Sequence, residues 1–243
     1  MSSAAASMAP VVAAEPTAHT LYLITNDFTL PIPVRLTLGQ FREWATSDEF
    51  PESLPVHFVE QEVYLDMSNE ELATYVLAKG EIQRVVANLN VELDLGKFFP
   101  DGALVTNIKA RVSNNPDAAL LTWETLKAKR ARLVPRKRAK DQFREIEGSP
   151  DWVLEVVSMS SVQKDTVKLR RAYHRGEIRE YWLVDARGAE ITFQILLWRK
   201  RGYVTAPSRE GWQYSELFGR WFRFARKRDR LGFWAYQLEV KAN

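Results

Sequence analysis

Cysteine is absent from the 243 residues. That excludes disulfides and thiolate zinc sites, and it removes one ordinary mark of a secreted protein. Histidine is scarce: His19, His57 and His174 are the only three, and no pair has metal-ligand spacing. Nothing reads as a Gly-rich phosphate loop or a Ser-His-Asp signature. No apolar run approaches the roughly 18 residues needed to span a membrane. Charge of either sign is not in large excess, with 34 Lys and Arg against 31 Asp and Glu. A net charge of +3 does not argue for nucleic acid by itself, so the placement of the basic residues has to decide. Together these absences predict a cytoplasmic protein with no membrane span.

What is present is core-forming material. Hydrophobic residues make up 46% of the chain and aromatics 12%, enough for one sizeable domain with extensions. Residues 1–20 are rich in Ala, Ser and Pro. They lack a basic leading region, and Pro10 and Pro16 interrupt their apolar stretch, so they read as a disordered tail rather than a signal peptide. Residues 21–206 read as the main domain. Residues 207–243 carry Trp212, Trp221, Phe222, Phe224, Phe233 and Trp234 and read as a short-stranded aromatic extension packed on the core. A row of aromatics can also stack bases.

The local signals give an order of elements. Leu21–Ile24 predicts a short strand followed by a Pro-punctuated loop through Pro31 and Pro33. Thr37 predicts the cap of a helix over Leu38–Ala45. His57–Met67 alternates as a strand. Ser68 and Glu71 predict a capping box. Behind it, Leu72, Tyr75, Val76, Ile82, Val85, Val86, Leu89 and Leu93 hold helical spacing. Gly80 marks a kink or break, and Gly96 marks the end. Ala103–Val112 predicts a strand, Ser113–Pro116 a turn, and Asp117 the start of another strand.

The stretch Gly148–Asp185 then predicts strand, helix, strand. Its strands fall at Asp151–Val157 and Ile178–Val184, with a helix at about Val162–Arg175. That is a βαβ unit with parallel neighbours. The whole order is αβββαβ, a mixed central sheet flanked by helices in the α/β class.

Glu155 is a carboxylate inside an apolar strand, costly to bury unless it is paired, protonated or bound to a metal. Lys164 and Lys168 stand one helical turn apart on the following helix and share a face. A structural ion pair and a functional site both fit that pattern. Asp117, at a strand start after Pro116, supplies a second carboxylate. Two carboxylates from neighbouring strands can hold a hard divalent cation with water in the remaining positions. A nearby lysine can orient water or stabilise charge on a phosphate. A separate basic cluster, Lys127, Lys129, Arg130, Arg132, Arg136, Lys137 and Arg138 with Lys140, fits either a phosphate-binding surface or a solvated loop.

The sequence Pro116-Asp117, then GSPDWVLEVVS, a Lys/Asp-bearing helix and GEIREYWLVDARG closely resembles the Uma2 family (DUF820) of PD-(D/E)XK-type endonucleases. The similarity covers about Leu36–Trp198. It implies the restriction-endonuclease-like fold and a Mg2+ (or Mn2+) nuclease site acting on DNA. On that resemblance Asp117 and Glu155 are the metal pair, the Val156 carbonyl is a third ligand, and Glu81 on the first long helix is an added acidic residue. The chain departs from the pattern in two places. The usual lysine position holds Val157, so the lysine has to come from the helix, as Lys168 or Lys164. The acidic residue opening the early E-x-x-x-G-E strand is His57, and its glycine is Gln61, with Glu60 or Glu62 as substitutes.

Two further readings stand beside the nuclease. One is a catalytically lapsed nucleic-acid-binding module, motivated by the displaced lysine and by His57. The other is a structural protein dimerising through its aromatic C-terminal third. Nucleases that cut both strands often dimerise, so a homodimer is an expectation by analogy.

Overall fold

A computed structural model of the chain describes residues 20–24, 29–33, 36–47, 50, 55–65, 70–136, 139–159 and 161–242. Two units separate, Met1–Leu36 and Thr37–Asn243. In the first, β1 (Thr20–Ile24) pairs antiparallel with β2 (Thr29–Pro33). The proline stretch predicted as a loop is thus a strand. Pro31 and Pro33 sit in a two-stranded sheet, where each strand is an edge that tolerates proline. The predicted tail, apart from Thr20, lies outside the described residues.

The second unit opens with α1 (Leu38–Ala45). Thr37 caps it: its hydroxyl accepts the Gln40 N–H, and the Gln40 side chain accepts the Thr37 N–H. Phe41 is fully buried against Phe58. Next come β3 (Val56–Val59) and β4 (Glu62–Leu65), a hairpin where alternation predicts one strand. Glu60 and Gln61 form its turn with φ of 52° and 69°, a conformation usually given to Gly or Asn.

A π-helical turn (Leu72–Val76) runs into α2 (Leu77–Leu93). Glu71 is itself the cap, its carboxylate accepting the Ala73 and Thr74 N–H groups. Ser68 lies outside the described residues. The helix passes through Gly80 unbroken and ends at Asp94, in the left-handed region at φ 45°. Gly96 is needed for a different reason. It begins β5 (Gly96–Phe99), and a Cβ there would stand 1.9 Å from the Leu121 carbonyl oxygen.

Then follow β6 (Val105–Asn107), β7 (Val112–Asn114), β8 (Ala118–Thr122), α3 (Trp123–Lys127), β9 (Ala131–Arg136) and β10 (Ala139–Gly148). The predicted strand Ala103–Val112 is therefore split by a turn at residues 108–111. β11 (Trp152–Val156), a π-helical turn (Lys164–Leu169) leading into α4 (Arg170–Arg175), and β12 (Glu180–Asp185) form the βαβ unit. β11 and β12 are parallel, with Glu155 opposite Leu183. β13 (Thr192–Arg199) and β14 (Gly202–Thr205) follow. The chain closes with β15 (Ser208–Arg209), β16 (Trp212–Ser215), β17 (Arg220–Arg228) and β18 (Trp234–Lys241).

Two mixed six-stranded sheets result, ordered β14-β13-β12-β11-β8-β5 and β4-β3-β7-β6-β10-β9, with a four-stranded antiparallel sheet β15-β16-β17-β18. Strand alternation in the first sheet defines two cores. On one face Leu120, Trp152, Leu154, Val156, Trp182 and Val184 pack with Ile82, Val86 and Leu89 of α2 and with Phe218, Phe222, Phe224 and Leu238. On the other face Ala119, Leu121, Val153, Tyr181 and Leu183 pack with Leu169, Ala172 and Tyr173 of the βαβ helix and with Val59, Val105, Val112 and Ile146 of the second sheet. Glu155 alternates onto this second face, toward that helix. Among the described residues no helix is long and apolar enough to cross a membrane.

Candidate active site

The register fixes the site. Leu154 of β11 pairs antiparallel with Ala118 of β8, so the next residues outward, Glu155 and Asp117, lie opposite each other at the sheet end. Both are buried, at 3% and 8% exposure. They line a cleft with His57, Tyr75, Val156, Lys164 and Asp165, and with Glu70 and Asp101.

Asp117 is held from three sides. Its Oδ2 accepts the Val156 N–H at 2.6 Å, and its Oδ1 accepts the Tyr75 hydroxyl. The Lys79 ammonium stands 3.9 Å from Oδ1 and bridges Glu70 at 3.0 Å and Asp101 at 3.1 Å. Gln83 donates to the Asp117 carbonyl at 2.8 Å. Tyr75, Lys79 and Gln83 are four residues apart in succession, so one polar edge of the helix grips this residue. Burial raises the Asp117 carboxyl to about 6. Asp165 adds to the rise, and Lys79, Tyr75 and the Val156 amide oppose it.

Glu155 Oε1 accepts Asn114 Nδ2 at 3.0 Å and the Tyr173 hydroxyl at 2.5 Å. Asn114 also donates to that hydroxyl at 2.8 Å. Oε2 takes no hydrogen bond from the described residues. Burial, then the Asp165 charge, holds the Glu155 carboxyl well above the usual range, with Lys164 working against them. Lys164 Nζ is 3.2 Å from Asp165 Oδ1. Burial works to lower the lysine, but the charges of Asp165, Glu155 and Asp117 prevail and keep it cationic.

The two candidate lysines do not converge. Lys164 lines the cleft, whereas Lys168 is bound to Glu62 and the Tyr64 hydroxyl, with its ammonium 4.9 Å from the Tyr64 ring centre. Glu60 is likewise taken, by Arg171 at 3.0 Å and Arg175 at 2.9 Å. Neither substitute acidic residue of the early hairpin lines the cleft, but His57 does, its Nδ1 accepting the Asn115 N–H at 3.3 Å. Glu81 faces elsewhere: it pairs with Arg84 at 2.9 Å and accepts the Leu238 N–H at 3.0 Å, tying β18 to α2.

None of the described residues of the basic cluster lines the cleft. Lys127 and Lys129 are exposed around the end of α3. Arg130 donates to Thr125 at 2.6 Å and pairs with Glu124 at 3.3 Å; Arg132 pairs with Glu147 at 3.0 Å. The Arg136 side chain, and Lys137 and Arg138 entirely, lie outside the described residues.

Sequence reasoning missed Tyr75, Lys79, Asn114, Asp165 and Tyr173. One signal was available: Lys79 and Gln83 repeat the spacing of Tyr75 on a helix whose remaining inward positions are apolar.

The residues fit a divalent cation of the Mg2+ type. They offer hard carboxylate oxygens, Oε2 of Glu155 takes no hydrogen bond from the described residues, and both carboxyls are raised by surroundings that a cation would relieve. They do not form an all-protein cage. Among the described residues no three His, Cys, Asp or Glu are gathered as a metal-holding group.

The mixed α/β fold thus brings two carboxylates and a buried lysine to one sheet end. The family model for Uma2, described as "Putative restriction endonuclease", matches residues 39–226, and the chain belongs to that family. The structure is similar to that of a "putative nuclease belonging to DUF820" from Anabaena variabilis, at 15% identity and a TM-score of 0.53, covering 75% of this chain and 90% of that one. No curated protein matches the chain.

Proposed function

We propose that the protein is a Mg2+-dependent endonuclease that hydrolyses DNA phosphodiester bonds with an activated water. The observation that carries this reading is that Glu155, Asp117 and Lys164 line one cleft, the two carboxylates standing one residue beyond the Leu154 and Ala118 pair of β11 and β8. Family membership supports it. Asp117 and Glu155 would hold the cation, with the Val156 carbonyl and water in the other positions. When bound, the cation supplies Lewis acidity toward a phosphate oxygen and lowers the pKa of water.

The chain's own residues do the rest. Tyr75, Lys79 and the Val156 amide fix the Asp117 carboxylate. Asn114 and Tyr173 fix Glu155 through one oxygen and leave the other for the cleft. Lys164 stays charged and stabilises the negative charge that develops on the phosphate as water attacks. Lys168 serves the helix surface through Glu62. Among the described residues Lys127, Lys129, Arg130 and Arg132 are the exposed cations of the basic cluster, and they are the candidates for backbone contact with duplex DNA. We place the activity in the cytoplasm, and a homodimer stays an analogy with nucleases that cut both strands.

Plasmid nicking tests the proposal. The parent should nick supercoiled DNA with Mg2+ or Mn2+, and Asp117→Ala should not, while melting as a folded protein. Equal nicking by both would sink the assignment. A second reading, a binding module without turnover, draws on His57 in the cleft where the family pattern has an acidic residue. It predicts salt-dependent DNA binding with no metal-dependent nicking.

A further inference from the structure

The hairpin of β17 and β18 ends in a turn at residues 229–233 that Asp229 holds rigidly. Its N–H donates to the Phe233 carbonyl at 2.9 Å, and its carbonyl accepts the Gly232 N–H at 3.1 Å. Its Oδ1 accepts the Leu231 and Phe233 N–H groups at 2.8 and 3.0 Å. Gly232 takes φ 87°, which suits glycine. At the base of the turn the Arg226 and Arg228 guanidiniums lie 4.1 and 3.5 Å from the Trp234 ring centre. The turn is fixed, yet its two large apolar side chains stay in water: Leu231 is 73% exposed and Phe233 63%.

A single exposed leucine needs no explanation. Two apolar side chains on one rigid tip, ringed by charge of one sign, do. Arg226, Lys227, Arg228 and Arg230 surround the tip, and Asp229 is the one carboxylate among residues 225–236. Lys227, Arg228 and Arg230 are exposed. Arg226 and Arg228 give their hydrogen bonds to backbone carbonyls, so their charges are not cancelled by carboxylates there.

The strand register places this tip at the cleft end of the molecule. The Phe222 ring centre is 4.7 Å from that of Trp182 in β12. The Phe224 ring centre is 5.9 Å from that of Phe193, which pairs with Val184. Arg226 then donates to the carbonyls of Ala186 at 2.7 Å and Ala189 at 2.8 Å, just past the end of β12. So β17 follows β12 in direction. Because β12 is parallel to β11, this is the sheet end that carries Glu155, and the tip projects past it. A chain of contacts joins the two: Arg187, next to Ala186, has Nη1 3.6 Å from Met159 Sδ, and Met159 follows Ser158 of the cleft lining. The family match ends at residue 226, before the tip begins.

We propose that the β17–β18 tip is a wedge for duplex DNA. Leu231 and Phe233 enter between base pairs, and Lys227, Arg228 and Arg230 meet the flanking phosphates. Apolar side chains inserted in this way partly unstack a base step and kink the duplex, and one or two of them suffice. The charge favours a polyanion over a protein partner, whose interface centre is depleted of charge. Two side chains are little apolar area with which to hold a bilayer. The choice of DNA rests on the nuclease reading, and the wedge would hold the duplex beside the cleft.

The test is a duplex carrying 2-aminopurine at regular intervals, titrated with protein in EDTA, where turnover plays no part. Binding by the parent should raise the 2-aminopurine fluorescence as base steps unstack. Leu231→Ser with Phe233→Ser should abolish that rise, while Leu231→Met with Phe233→Leu, equally apolar, should keep it. Arg230→Gln should reduce the salt slope of duplex binding by about one. No duplex binding by the parent, binding without a fluorescence rise, or an undiminished rise in the serine variant would overturn the wedge. So would binding to phosphatidylserine vesicles in place of duplex. Nicking with Mg2+ is scored separately: a parent that nicks without unstacking loses only the wedge, and one that unstacks without nicking loses only the nuclease reading.

Discussion

Asp117 accepts the backbone N–H of Val156 at 2.6 Å, so the strand carrying Glu155 is tied to the carboxylate opposite it. The bond orients Asp117 and brings two buried carboxylates together. Lys79 serves Asp117 from one side and Lys164 faces the pair from the other. The site is therefore charged, desolvated and held in place before any ligand arrives.

That arrangement has a pH signature. The Asp117 carboxyl is raised from 3.8 to about 6 in the folded chain, chiefly by burial. Between those values the unfolded chain has lost a proton that the folded chain keeps. Folded stability from this group is therefore greatest at acid pH and falls as pH climbs from 3.8 through about 6. In urea titrations without metal, Asp117→Asn should gain stability relative to the parent across that window, by on the order of 3 kcal/mol. A parent-to-variant difference that does not change with pH would contradict the shift.

The two helix lysines should behave differently. Lys164→Met should reduce metal-dependent nicking about a hundredfold or more, as loss of a charge-stabilising group does. Lys168→Met should leave nicking within about a few-fold, because its ammonium is spent on Glu62 and Tyr64. Steady-state cleavage of a labelled duplex measures both. The reverse ranking would transfer the role to Lys168.

Glu180 tests how the C-terminal sheet is attached. Its buried carboxylate accepts Trp182 Nε1 at 2.6 Å and the Leu217 N–H at 3.2 Å. Glu180→Ala strands both donors in the core and should cost about 2–4 kcal/mol of unfolding free energy. Glu180→Gln keeps the side-chain volume and one acceptor oxygen and should cost about half as much. Calorimetric melting separates the two, and equal losses would show that packing, not hydrogen bonding, secures the extension.

The sequence carried the βαβ unit because its signals are local and strong: an apolar run, Gly176 after a helix, then a second apolar run. Asp117 and Glu155 were visible for the same reason, as single carboxylates at the borders of such runs. The hairpins at residues 56–65 and 105–114 were not. Glu60, Gln61 and Arg111 adopt positive φ without being glycine, so no punctuation marks those turns. Gly96 misled in the opposite direction, since its small size serves the approach to Leu121 rather than a helix end. Lys168 looked equivalent to Lys164 by spacing alone. Only the position of β4, which brings Glu62 and Tyr64 to one of them, tells the two apart.

The central claim is that Asp117 and Glu155 form a divalent-cation site, and calorimetric titration of Mn2+ tests it most directly. The parent should show saturable binding near one equivalent, and Glu155→Ala should lose it while remaining folded. Identical isotherms for the two proteins, or no binding by the parent, would contradict the claim and return Glu155 to a buried structural role beside Lys164.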